Sequence, residues 1–247
     1  MTAPTVTRVA SARERRGLAE EVLVVLSLSL LASAVYSLLD LLAAPVRGVT
    51  RATYPAGGLQ YQVADVVFGV APVALVLHLA RRNGEGLGPF GLRSERPRSD
   101  VALGVVLGLI VAAVGLGVYL GSVALGINRY VVPIPPAGHW WTIPILLLGA
   151  LQAGLLEEIV AVGYLVRRLE QMGWAAAAAV AASALLRGSY HLYQGWGGFA
   201  GNLALGVFFG IVFVRYRRTW PLVVAHVLVD ALAGLGYLAF RSHLPGS

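Results

Sequence analysis

Cysteine and lysine are both missing from the 247 residues, and each absence removes a body of chemistry. Without cysteine there is no disulfide, no thiolate nucleophile and no thiolate metal site. Without lysine there is no lysine base and no Schiff base, and all 19 basic residues are arginine. Charge is scarce as well: 13% of residues are Asp, Glu, Lys or Arg, where a soluble domain carries about 25%. What fills the space is apolar, with 57% hydrophobic residues and a mean hydropathy of +0.74. These residues fall in long runs, so the chain reads as an integral membrane protein with the bilayer as its first partner. No cleavable signal peptide is evident, because the first twenty residues are polar and Arg-rich and the apolar run that follows outlasts a signal core. A pI of about 10.1 would suggest nucleic acid for a soluble chain. In a membrane chain it reports basic cytoplasmic loops, and no nucleic-acid partner is expected. The Ala/Gly/Arg/Val-rich, lysine-free composition is that of a GC-rich bacterial genome.

A helix needs about 20 mostly apolar residues to cross a bilayer. Seven runs qualify, over 20–42, 61–80, 100–125, 142–166, 174–192, 200–215 and 220–240. The expected fold is therefore all-α, a polytopic bundle of about seven or eight transmembrane helices. Residues 1–19 form an N-terminal tail, 20–140 the N-terminal helices and 141–241 a C-terminal core. Within this scheme 11–20 is a candidate interfacial helix and Tyr193–Phe199 a candidate re-entrant stretch. Pro45, Pro55, Pro89, Pro97, Pro133, Pro135 and Pro136 all fall in connections, as helix breakers should. Ala175–Ala179 offers a small-residue face for close helix approach. The arginines give an independent check. With the N-terminus in the cytoplasm, fourteen lie inside (8, 13, 15, 16, 81, 82, 93, 96, 98, 167, 168, 215, 217 and 218) and five outside (47, 51, 129, 187 and 241). That is the positive-inside bias of a multi-pass protein of the cell membrane. Trp140 and Trp141 open the fourth run at the outer side, where an aromatic belt belongs.

Ionisable side chains inside spanning helices are costly and usually mark function. Here they gather in the C-terminal half: Glu157 and Glu158 in the fourth run, Arg187 and His191 in the fifth, His226 and Asp230 in the seventh. Arg187 and His191 are four residues apart, as are His226 and Asp230, so each pair shares one helix face. Adjacent Glu157 and Glu158 point about 100° apart on a helix, so one can face the histidines while the other braces a neighbouring helix or Arg187. Carboxylate and two imidazoles around a trapped water suit general-base hydrolysis. The same groups suit zinc with an open coordination position. His78, Asp40, Asp65, His139 and His243 are read as packing, interfacial or tail residues. On straight helices the heights disagree. Glu157 and His226 lie about 15 Å and 9 Å from the inner surface, against about 25 Å for His191. A fifth helix that starts below the surface, or tilts beside a water-filled cavity, resolves this. A proton-coupled transporter using the same carboxylates and imidazoles is the alternative, with no internal repeat to support it; a non-catalytic scaffold is a third.

At these residues the sequence resembles the CPBP intramembrane proteases, the CAAX amino-terminal protease or Abi family. Its pattern is EExxxR, then FxxxH, then HxxxN/D on a later helix. Here the three motifs read Glu157-Glu158-Ile-Val-Ala-Val162, Arg187-Gly-Ser-Tyr-His191 and His226-Val-Leu-Val-Asp230, within roughly 145–240. The resemblance implies an intramembrane endopeptidase acting on a membrane-associated peptide or protein. Glu157 would activate the water, His191 and His226 would hold it or a divalent metal such as zinc together with Glu157, Glu158 would support, and Asp230 would serve the oxyanion site. Two positions depart from the pattern: Val162 replaces the motif arginine and Arg187 replaces the motif phenylalanine. Arg187 is expected to bring to Glu158 the guanidinium that position 162 lacks.

Overall fold

The structure, a computed structural model, describes residues 10–43, 46, 48–51, 54 and 57–243. Arg8, Arg47, Pro45, Pro55 and residues 1–9 of the expected tail lie outside the described residues. Ten α-helices follow in order: α1 Ala12–Ser27, α2 Leu30–Ala43, α3 Leu59–Gly69, α4 Ala71–Arg82, α5 Pro97–Ala124, α6 Thr142–Leu156, α7 Leu165–Gln171, α8 Ala176–Tyr190, α9 Trp196–Tyr216 and α10 Trp220–Phe240. A π-helical stretch, Glu157–Tyr164, joins α6 to α7.

Among the described residues, five stretches are long and apolar enough to cross a membrane: Leu59–Arg82, Pro97–Ala124, Thr142–Gln171, Trp196–Tyr216 and Trp220–His243. A sixth arises if α1 and α2, bent by 52°, count as one broken span. The break falls where the Ser29 hydroxyl donates to the carbonyl of Val25 at 2.7 Å, a local bond that competes with the helix ladder. The expected fifth span is corrected. Its helix, α8, has 15 residues, about 22 Å at 1.5 Å per residue, too short for a full crossing. It ends because a turn at Leu192–Gln194 and Gly195, at φ +113°, redirect the chain. Tyr193–Phe199 is accordingly no re-entrant loop: α9 already starts at Trp196. Residues 11–20 belong to α1, which Ser11 and Glu14 start with a capping box.

Two three-residue strands, β1 Val49–Arg51 and β2 Tyr130–Val132, pair in parallel with Val49 opposite Tyr130. Periodicity does not signal segments this short. Trp140 is exposed as a belt residue should be, but Trp141 is buried and stacks on His139 at 4.5 Å.

Contacts sort the connections into two ends. At one, Arg129 donates to Asp40 and to the carbonyl of Tyr193, and its own N–H to the carbonyl of Gln194. At the other, Arg168 is fully buried, with Nε 2.9 Å from Glu21 and Nη1 2.6 Å from Glu85. Arg217 there forks onto Glu170 at 2.6 and 2.7 Å. Arg129 on one side and Arg168 and Arg217 on the other fall at different ends, as their sequence assignment expects, whereas Arg187 is interior. Close helix approach anchors the core. A Cβ at Gly104 of α5 would stand 2.5 Å from Val224 and 2.8 Å from the carbonyl of Pro221, so α10 seats directly on the α5 backbone.

Candidate active site

The π-helical stretch places the two carboxylates. An i→i+5 turn widens the helix and is frequent at functional positions. The hydroxyl of Ser183 on α8 donates to the carbonyl of Ala161 at 2.6 Å, satisfying one acceptor of the widened turn. Gly163 lets the chain pass close to the start of α10, since a Cβ there would lie 2.9 Å from the carbonyl of Phe90 and 3.1 Å from the Thr219 hydroxyl.

Arg187 is the hub. Its guanidinium is 1% exposed, and the single atom Nη2 lies 3.0 Å from Glu157 Oε2, in hydrogen-bond contact with Glu158 Oε1, and 3.1 Å from His226 Nδ1. Its carbon sits 5.5 Å above the Phe209 ring. Nε and Nη1 of Arg187 and Oε2 of Glu158 are buried with no hydrogen-bond partner among the described residues. His226 spans the pair on the other side, with Nδ1 2.7 Å from Glu158 Oε1 and Nε2 3.4 Å from Asp230 Oδ2. The Tyr190 hydroxyl donates to Glu157 Oε2 at 2.8 Å. Burial separates the carboxylates: the Glu158 side chain is sealed at 0% exposure, whereas Glu157 keeps 13%.

His191 follows α8 and donates from Nδ1 to the carbonyl of Arg187 at 2.9 Å. That bond fixes the tautomer, leaving Nε2 as the free lone pair. His191 then faces a cavity of about 80 Å³ lined also by Asn202, Leu205, Phe209, His226 and Asp230. At about 30 Å³ per water, the space takes two or three molecules. The two histidines thus line one cavity after all.

Sequence reasoning missed Tyr190 and Asn202. Tyr190 lies next to His191 and its hydroxyl needs a partner when buried, which was a usable signal. Asn202, in an apolar run of α9, was the other.

The proposed metal set does not fit these side chains. Nη2 of Arg187, a cation, stands beside both Glu157 Oε2 and His226 Nδ1, and both His226 nitrogens are engaged by carboxylates. Among the described residues no three His, Asp or Glu side chains are grouped to hold an ion.

Fold and site together define a helical membrane bundle with a buried carboxylate–imidazole–guanidinium centre beside a small polar cavity. Residues 139–232, which include every site residue, match the family described as Type II CAAX prenyl endopeptidase Rce1-like. That segment is a domain of this family, a branch of the CPBP proteins and a family of hydrolases. No curated protein and no solved structure matches the chain.

Proposed function

We propose that the chain is an intramembrane endopeptidase of the cell membrane, oriented with its N-terminus in the cytoplasm, that hydrolyses a peptide bond in a membrane-associated peptide or protein. The observation that carries this is the convergence of Glu157, Glu158, Arg187, His226 and Asp230 beside a water-sized cavity inside the matched domain. The arginine distribution between the two ends supports the orientation.

Glu157 is the base. It is the carboxylate that retains access, and its Oε2 is held by Arg187 and Tyr190. A water in the cavity accepts no proton from His191. Instead its O–H donates to the free Nε2 of that ring, which orients the oxygen lone pair toward the scissile carbonyl. Glu157 takes the proton as the oxygen attacks, and returns it to the leaving amine when the tetrahedral adduct collapses. His226 Nε2, at a long 3.4 Å from Asp230, donates to the oxyanion, with Asp230 orienting the ring. Glu158 and Arg187 are positioning residues: Glu158 fixes His226, and Arg187 pairs with both carboxylates and holds them in place. No step runs through a metal.

The test is hydrolysis of fluorogenic lipidated and transmembrane peptides by the purified protein in liposomes. Glu157→Gln is expected to lower kcat at least about a hundredfold, the usual scale of general-base loss, with the thermal midpoint held. An unchanged rate in Glu157→Gln sinks the assignment, and solute flux without proteolysis favours the carrier. Chelation by 1,10-phenanthroline is expected to leave the wild-type rate intact; loss restored by zinc overturns the metal-free mechanism.

A further inference from the structure

A second cavity lies where the chain ends its last span, near the C-terminal end of α10. It measures about 320 Å³ and is lined by Arg51, Val132, Ile134, Tyr237 and Arg241, with Pro135 and Ala137 at the rim. Three observations there concern ligand chemistry. Arg51 of β1 and Arg241, just past α10, both line the cavity, and neither has an ion-pair partner among the described residues. Tyr237 is 5% exposed, and its hydroxyl is buried with no hydrogen-bond partner. The floor is apolar, since Val132 and Ile134 are buried and pack with Tyr237 in one cluster.

A buried phenol without a partner is costly unless something else receives its proton. Two guanidiniums beside it supply forked donors that match phosphate geometry. The negative end of the α10 dipole, about half a charge, is outweighed by two full positive charges. At about 320 Å³ the space exceeds a bare ion and reaches the lower limit of small-molecule sites. Exposed Trp140, a residue type enriched at the headgroup zone, follows the lining residue Ala137 by three positions.

We propose that this cavity is a phosphate-binding site for a phosphoglycerol group, with Arg51 and Arg241 holding the phosphate oxygens, the Tyr237 hydroxyl donating to one of them, and Val132 and Ile134 covering the glycerol carbons. The group can come from an anionic lipid of the outer leaflet or from a soluble glycerol phosphate, and the experiment separates them. Native mass spectrometry of the intact protein, released from nanodiscs containing phosphatidylglycerol and phosphatidylcholine, counts retained lipid. Titration with sn-glycerol 3-phosphate reads the soluble source through the thermal midpoint. Retained phosphatidylglycerol that drops about tenfold or more in Arg51→Gln/Arg241→Gln, and severalfold in Tyr237→Phe, supports the site with a lipid source. Saturable stabilisation by glycerol phosphate with the same variant dependence supports it with a soluble source. Binding of neither, or binding that both variants leave unchanged, overturns it. Both arginines are exposed and Tyr237→Phe keeps the ring, so all variants are expected to fold.

Discussion

Arg187 shows how much one side chain can decide. It occupies the position where the CPBP pattern has phenylalanine, and it reaches Glu157, Glu158 and His226 with one nitrogen. The expectation that it would deliver a guanidinium to Glu158 is met by the geometry. Val162, where the motif arginine would stand, is buried in the apolar cluster that contains Phe209, the ring beneath the Arg187 guanidinium. Both positions therefore border the same space. Arg187→Met leaves two carboxylates buried without their cation, and we expect a loss of about 3–5 kcal/mol in stability, read as a lowered thermal midpoint in detergent. The double variant Val162→Arg/Arg187→Phe is expected to be more active than Arg187→Phe alone in the peptide assay, and equal activity would refute the exchange of roles. Glu157, Glu158, Arg187, His191, His226 and Asp230 were all legible in the sequence, because charge in an apolar run is conspicuous. The division of labour between the carboxylates was not, since it depends on which one burial seals. The donor to the His191 ring was equally hidden: it is a backbone carbonyl.

Among the elements, α8 and the π-helical stretch set the site. Hydropathy finds apolar runs but not their lengths as helices, so 174–192 passed as a span while the helix within it has only 15 residues. The expected conflict of depths is not seen, because His191 and His226 line the same cavity. The widened turn at Glu157–Tyr164 has no periodic signature and could not be foreseen. Its support can be tested. Ser183→Ala removes the hydroxyl that donates to the Ala161 carbonyl, a buried hydrogen bond between α8 and the widened turn. A destabilisation of about 1–3 kcal/mol is expected, together with a fall in peptidase rate if the carboxylates shift. A lowered rate at unchanged stability would assign Ser183 to positioning instead.

For the whole molecule, the two ends identified by contacts agree with the partition of arginines read from sequence. That agreement rests on particular side chains: Arg168 on Glu21 and Glu85 at one end, Arg129 on Asp40 at the other. The lack of cysteine makes orientation easy to measure. Single Ser99→Cys and Ser242→Cys variants, probed with a membrane-impermeant maleimide on intact cells, are expected to label only at position 242. Labelling at 99 alone would invert the proposed topology. The N-terminal helices were legible as spans, whereas their broken join at Ser29 and the parallel β1–β2 contact arise from local hydrogen bonds and loop proximity that no run of hydropathy records.

The reach of Arg187 also bears on how the protein is made. Glu157 and Glu158 leave the ribosome some thirty residues ahead of Arg187, and each such charge alone costs about 2.5–3.5 kcal/mol at the centre of the bilayer. Released singly, the π-helical stretch after α6 would carry two anions into lipid and α8 one cation on a helix too short to span. Released as a hairpin, the cation offsets one of the two anions, and a single net negative charge meets lipid. On that route the hub of the active site would also join the two segments while they enter the membrane.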